Sequence, residues 1–269
     1  MRIMKKLTVP ILLVVILTLV VLSRGYVDSG SGEVKSEKLQ PILTPVPTQV
    51  LSERNGDGEV NLDGQNFVYV IEKNILPGKL KLIPNYGQKE FTRETSLDQS
   101  CRSLINGGFY GTSNEPIGWL VIDGKVISSD KSSSLFNGFV AVTADDKLSV
   151  GVSKPNGDIR YGLQTGPVLI NSGRVQILQM ERDKNARRGV ILSSRDGQAT
   201  FLMVFAKLSD QLGPTLTELP ELVYLISKQE GIDPDYAVNL DGGSASVFWR
   251  KDVYLEETVP VGSWWCAEN

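Results

Sequence analysis

The sequence predicts an α+β domain dominated by strands, a mixed sheet with one prominent amphipathic helix preceding a strand that ends in Asn-Leu-Asp-Gly-Gly. Three observations carry that expectation. Short apolar runs recur from Phe67 onward, separated by Asp-Gly, Gly-Gly and Ser-Gly pairs that turn a chain back on itself. Glycine is frequent at 26 residues and methionine scarce at 4, a balance of turns and strands rather than of helical bundles. Only Thr215–Gln229 holds a clear helical period over a useful length, with Leu216, Leu219, Leu222, Val223 and Ile226 on one face.

The chain opens outside that domain. Arg2, Lys5 and Lys6 precede an apolar run from Ile11 to Leu22 broken only by Thr18, about the length of a signal-peptide core. Residues 1–24 are therefore expected to be a signal peptide, or a signal anchor through residues 7–22 if the run extends back to Leu7. Ser23 and Gly25 permit cleavage, and no Cys near residue 20 offers a lipid anchor. The positive flank keeps the N-terminus inside and sends the rest out, so the protein is expected to be extracytoplasmic, secreted or anchored. Residues 25–58, with SGSGEVKSEK and PILTPVPTQ, read as a Pro/Gly/Ser-rich linker. The folded domain is expected over 59–269. At its border ERNGDGEVNLDGQN places Asn55, Asp57, Gly58 and Asn61 like calcium-loop ligands. Glu53 in the first ligand position and Gly64 where a bidentate acid belongs favour a turn-rich entry to the first strand.

Within the domain, FVYVIE from Phe67 alternates like a strand, and LKLIP from Leu80 like its neighbour. Between Phe91 and Arg102 a short helix is expected, opening near Ser96 with Cys101 at its end. SLINGGFYG runs as a strand into a Gly-Gly turn, and GWLVIDGKVIS is a hairpin with Asp123-Gly124 at its tip. FVAVTADDKLSVGV repeats that form around Asp145-Asp146, and GPVLINSGRVQ, RRGVILSSRDGQATFLMVF and a closing strand VFWRKDVYL follow. Thr215 or Thr217 can cap the helix, Gly231 ends it, and Pro220 falls near its first turn, where proline is tolerated.

Composition narrows the chemistry. At 269 residues and 41% hydrophobic content the chain can bury a sizeable core, and a formal charge of -3 offers no basic face to nucleic acid. The sequence contains 0 histidines, which excludes Ser-His-Asp and Cys-His catalysis and His-ligated zinc. Acid–base work falls to carboxylates, Lys, Tyr or Cys. An oxidising compartment favours pairing of the 2 cysteines, Cys101 and Cys266, over a free core thiol and a free tail thiol. Trp119 and Trp249 read as core residues, and the WWC tail as packing beside the disulfide.

Tyr236–Ser246, YAVNLDGGSAS, is where chemistry concentrates. A buried run delivers Asp241 to a strand tip, and Gly242 and Gly243 allow a turn that bulkier residues resist. The alternative is a plain Asp-Gly turn in which Asp241 caps its own backbone. Two more glycine-marked loops follow apolar runs: Asn106-Gly107-Gly108 and Thr165-Gly166-Pro167. Arg187 and Arg188 abut another strand, the latter read as a solvated or ion-paired surface residue. Glycine pairs let backbone N–H groups approach an anion, and an arginine fork suits phosphate.

With INGGFY (105–110), GWLVIDGKV (118–126), TGPVLINSGRV (165–175), the arginine strand at Arg187, LGPTLTELPELV (212–223) and NLDGGSAS (239–246) in this order, the chain resembles the phosphodiester glycosidase family from about Ile105 to Trp249. Arg187 is followed by Arg188-Gly189-Val190-Ile191 rather than the family's usual Thr-Ala-Ile-Gly, and Ser244 follows Gly243 without a third glycine. The resemblance implies hydrolysis of a carbohydrate phosphodiester at the sugar C1–O bond. It implies Asp241 as base or oxocarbenium stabiliser, Arg187 on the phosphate, and Gly107 and Gly108 as N–H donors. Asn106, Thr165 and Asn239 would orient the sugar, with Gly166, Gly242, Gly243 and Ser244 lining the site. The alternative for Asn106 and Thr165 is turn-capping. No cofactor is implied.

Two rival readings stand beside this one. The first is an exported glycan-binding or envelope-assembly module without turnover. The second is a metal-assisted phosphodiesterase in which Asp241, Asp123 and Asp130 give oxygen ligands to calcium or magnesium. Membrane contact is expected only through the N-terminal segment, and Glu115 is not favoured as a second carboxylate.

Overall fold

A computed structural model describes residues 56–269 apart from 96, 98 and 99, so the expected signal and nearly all of the linker lie outside the described residues. The strands begin with β1 (Gly58–Leu62), β2 (Gln65–Ile75), β3 (Leu80–Pro84), β4 (Cys101–Asn106), β5 (Leu120–Ile122) and β6 (Lys125–Ser128). They continue with β7 (Gly138–Thr143), β8 (Leu148–Gly151), β9 (Ile159–Thr165), β10 (Val168–Asn171), β11 (Arg174–Val175) and β12 (Arg188–Ser194). Then come β13 (Ala199–Ala206), the helix α1 (Leu219–Gln229), β14 (Pro234–Gly242), β15 (Phe248–Arg250), β16 (Val253–Leu255) and β17 (Ser263–Glu268).

A seven-stranded sheet in the order β1-β2-β13-β12-β14-β10-β11 is joined by two five-stranded sheets, β16-β15-β4-β17-β3 and β6-β5-β9-β7-β8. The pairings of the large sheet are all antiparallel. So are those of the two smaller sheets. The period of two along β2 explains the layering. Val68 and Val70 face a core shared with the two smaller sheets, beside Leu82, Ile105, Leu163, Phe201, Val238 and Trp265. Phe67, Tyr69 and Ile71 point the other way and pack with Leu219, Leu222, Val223 and Ile226 of α1.

Turn chemistry sets the hairpins. Asp63 and Gly64 have φ of 49° and 84°, and Asp123 and Gly124 have 47° and 77°. Both pairs are left-handed at both central positions, the arrangement that matches the twist of paired strands. From Gly58 onward the segment weighed as a calcium loop forms the β1–β2 hairpin, with Leu62 paired to Gln65, while Glu53 and Asn55 lie outside the described residues.

Three expectations are corrected. Cys101 opens β4 instead of ending a helix, a 3₁₀ turn at Thr92–Glu94 comes before it, and the expected helix start near Ser96 lies outside the described residues. VFWRKDVYL is a hairpin, β15 and β16, and not the closing strand, because Arg250 pairs with Val253 across a tight turn. The last strand is β17, inserted between β4 and β3, so the WWC tail is the middle of a sheet. There Cys266 joins Cys101 in a disulfide, with Cα atoms 5.5 Å apart.

The helix begins at Leu219 rather than Thr215. Thr215 nevertheless opens the turn that leads into it. Its N–H and Oγ1 donate to Glu218 Oε2 at 2.8 and 2.6 Å, while Glu218 N–H donates back to Thr215 Oγ1 at 3.3 Å. This is a capping box one turn ahead of the regular helix. Gly231, at φ 68°, ends the helix as expected and releases the chain into β14.

Candidate active site

β14 carries the central residues because its apolar run, Ala237-Val238, is buried in the middle of the large sheet and its polar end emerges at the edge. Two glycine loops are stitched to that end. Asp241 N–H donates to Gly107 O at 3.1 Å, and Asn106 Nδ2 donates to Asp241 O at 2.7 Å. On the other side Gly166 N–H donates to Asn239 O at 3.0 Å and Asn239 N–H to Pro167 O at 3.0 Å, across a cis Gly166–Pro167 bond. Thr165 Oγ1 donates to Asn239 O at 2.8 Å, and Asn239 Nδ2 to Gly166 O at 2.9 Å. Gly108 lies against Thr165, so the first loop reaches the end of β9 as well. The structure therefore brings Asn106, Gly107, Gly108, Thr165, Gly166, Asn239 and Asp241 together.

Asp241 is partly exposed as a residue, but burial of its carboxyl disfavours the charged form and pushes its pKa from 3.8 to about 7. One donor, the Gly242 N–H at 2.9 Å from Oδ1, opposes that rise. A carboxyl poised near neutrality can take up or release a proton.

Several neighbours are committed to the backbone. Asn106, fully buried, also accepts from Val247 N–H through Oδ1 at 3.1 Å, so its amide ties β4, β14 and the segment before β15. Gly107 N–H, expected to face an anion, instead donates to Ser263 O at 2.8 Å, since β17 lies alongside it. Glycine is required here, because a Cβ would fall 2.1 Å from Ser263 Oγ.

Arg187 is fully buried beneath the glycine turn. Its Nε donates to Ser246 Oγ at 2.9 Å, and its Nη2 donates to the carbonyls of Ser246 and Glu256. Gly243, at φ 64°, donates its N–H to Arg187 O at 3.0 Å, so strand and turn grip each other reciprocally. Ser244 is exposed at the tip, its carbonyl accepting from Thr258 and Val259 N–H groups. Arg188, read as a surface residue, is buried: Nε donates to Pro214 O at 3.1 Å, and Nη2 lies 3.8 Å from Asp183.

Two further residues join the site without having been singled out. Tyr110, the last residue of INGGFY, lies in the field of the Asp241 carboxylate and close to the Ser263 side chain, and burial holds its phenol protonated well above the usual range. Ser263 opens β17, more than 150 residues along the chain from Tyr110, and nothing local marks it. Elsewhere, Asp123 accepts from Tyr161 Oη at 2.9 Å and Asp130 pairs with Lys154 at 2.6 Å. Among the described residues no group of three or more His, Cys, Asp or Glu could hold a metal ion. Glu115 is exposed and its carboxylate accepts from Ser113 N–H at 3.1 Å within its own loop. Trp119, Trp264 and Trp265 are buried, so they offer no open stacking face.

No curated protein sequence matches the chain. The fold is similar to the catalytic domain of zebrafish N-acetylglucosamine-1-phosphodiester alpha-N-acetylglucosaminidase, a structure auto-inhibited by a pro-peptide. The two share 14% identity with a TM-score of 0.61, over 79% of this chain and 81% of that one. It is also similar to a hypothetical protein from Synechocystis at 14% identity and a TM-score of 0.51, over 78% of this chain and 60% of that one. At such identities the likeness is one of fold. The family model for phosphodiester glycosidases matches residues 100–265, a span that runs from β4 into the first half of β17 and holds every site residue above, and the chain belongs to that family.

Proposed function

We propose that this protein hydrolyses the glycosidic C1–O bond of a sugar-1-phosphodiester outside the cytoplasm. Water adds to C1, the C1–O bond breaks with its electrons passing to the phosphate oxygen, and a free sugar and a phosphate monoester leave. The observation that carries the reading is Asp241, a carboxyl with a pKa near 7 at the convergence of three loops in a chain without histidine. A phosphate leaves more readily than a sugar hydroxyl and needs less protonation. One carboxylate that stabilises positive charge at C1 or takes a proton from water then does what most glycosidases divide between two. The zebrafish relative, named for action on an N-acetylglucosamine-1-phosphodiester, supports the substrate class.

In this reading Asp241 is the base or oxocarbenium stabiliser, and Asn239 and Thr165 orient the sugar edge. Arg187 contributes a buried positive charge under Gly243–Ser246, favouring an anion above that turn. The Cys101–Cys266 disulfide supports an extracytoplasmic site of action, since such bonds persist in oxidising compartments. No helix among the described residues is long and apolar enough to cross a membrane.

The test is turnover of a panel of sugar-1-phosphodiesters by the full-length chain, following reducing sugar and phosphomonoester. Wild type is expected to release both, with kcat/KM rising through about pH 7 as Asp241 ionises. Asp241→Asn is expected to lower kcat at least ~10³-fold with an unchanged circular-dichroism spectrum. Glycan binding with no turnover across the panel would instead support the binding-module reading.

A further inference from the structure

We propose that Phe109 and Phe136 form an aromatic shelf on which the sugar ring of the substrate stacks, an inference that rests on the hydrolase reading above. The two rings touch, with centroids 4.7 Å apart and planes tilted by 48°. They come from opposite sides of the site. Phe109 directly follows Gly107-Gly108, the loop that accepts from Asp241 N–H. Phe136 lies between β6 and β7, in a segment that packs on Gly166, the residue whose N–H donates to Asn239 O. A Cβ at Gly166 would collide with Leu135 O and fall 3.0 Å from Asn137 N. The ring pair thus bridges the two glycine loops that flank the end of β14.

The segment that carries Phe136 has no regular secondary structure, yet side chains fix its backbone. Gln164, buried beside Thr165 in β9, commits its whole amide to this task. Its Nε2 donates to Lys131 O at 2.6 Å and to Phe136 O at 2.7 Å, and its Oε1 accepts from Lys131 N–H at 2.9 Å. Ser133 Oγ accepts from the N–H groups of Leu135 and Phe136 at 3.1 and 3.3 Å, and Asn137 Oδ1 accepts from Val168 N–H at 2.9 Å. An irregular segment held at this many points presents its side chains from a rigid frame, which is what a recognition surface needs.

Both phenylalanines are half-buried, so each keeps part of its surface open, whereas Trp119, Trp264 and Trp265 are sealed. A sugar ring has apolar C–H faces and a rim of hydroxyls. An aromatic surface suits the faces, and polar groups at a strand end suit the rim. Phe109 and Phe136 therefore take the face of the ring that Thr165 and Asn239 hold by its edge. Gln164 is a positioning residue that acts through Phe136.

The experiment compares full-length wild type with Phe136→Leu, which keeps an apolar side chain but removes the ring, and with Phe136→Tyr, which keeps the ring. Turnover of the diester panel gives kcat and KM, and calorimetry gives binding of glucose 1-phosphate against glycerol 1-phosphate, which has no ring. Phe136→Leu is expected to raise KM about 10-fold, with kcat within about threefold of wild type and a melting temperature within a few degrees. Phe136→Tyr is expected to stay within about twofold of wild type, and Phe109→Leu to repeat the effect of Phe136→Leu should the latter fail to fold. Wild-type turnover with a leucine variant whose KM is within about twofold, or whose kcat falls together with its melting temperature, would overturn the shelf and leave the hydrolase reading standing. If wild type turns over no diester, a preference for glucose 1-phosphate that Phe136→Leu erases would keep the shelf and overturn the hydrolase reading. Neither turnover nor such a preference would overturn both.

Discussion

Asp241 and Arg187 show how burial acts on opposite charges a few residues from one turn. Asp241 receives one opposing hydrogen bond, so burial dominates and its carboxyl stays protonated to about pH 7. Unfolded, the same group ionises near 3.8. The folded state thus binds the extra proton between those values, and stability falls as pH rises through that window. Below 3.8 the contribution is fully present; above 7 it is lost, and the amount is on the order of 4 kcal/mol. Thermal melts from pH 4 to 8 should therefore show Asp241→Asn gaining on wild type as pH rises and levelling off above 7. A gap independent of pH would sink this account. Arg187 has the opposite arrangement: a buried cation with acceptors at Ser246 and Glu256. Arg187→Met would leave those carbonyls unpaired in the interior, at a cost of about 3 kcal/mol or more. The melting temperature should fall by roughly 10 °C, whether or not substrate is present. A variant as stable as wild type would instead free Arg187 for a direct catalytic role.

At the scale of elements, the glycine loops and the capping turn place these residues. The Thr215–Glu218 box starts the turn that ends in α1, and α1 delivers the chain to β14. Asp183 adds to the same turn by accepting from Leu216 and Thr217 N–H groups at 2.8 Å each. Glu218→Ala is expected to cost about 1 kcal/mol, read as a melting point lower by about 3 °C, with Thr215→Ser close to neutral. A larger loss from Thr215→Ser would mean its methyl group packs rather than its hydroxyl bonds. The Asp-Gly hairpins were legible in the sequence because two consecutive positive φ values need residues of that kind. The 91–102 segment was not, because its polar residues fit a helix locally while pairing with β15 and β17 draws Cys101 into a strand.

For the molecule as a whole, the disulfide joins residues 165 apart in sequence and fastens β17 to the start of β4. Closing so long a loop restricts the unfolded chain by up to about 5 kcal/mol. Reduction, or Cys101→Ser with Cys266→Ser, should lower the melting point by roughly 10 °C or more. A shift under two or three degrees would mean that β17 is held by its sheet alone. That strand matters for the site because Ser263 and the Gly107 contact come from its first residue.

The sequence by itself determined the strand-rich class, the helix before β14, most hairpin tips and the strand that carries Asp241, since each rests on a local period or a local backbone requirement. Its motifs also carried the family. Tertiary structure alone decided that the tail is an inner strand of its sheet, that Arg188 is buried, that the Gly107 N–H and the Nη2 of Arg187 turn toward backbone carbonyls, and that Arg187 Nε turns toward the Ser246 hydroxyl. It also brought Tyr110 and Ser263 to Asp241. Those outcomes depend on partners brought together by the fold, 26 residues along the chain for Arg188 with Pro214, 59 for Arg187 with Ser246 and more than 150 for Gly107 with Ser263. Side-chain type and spacing hold no record of them.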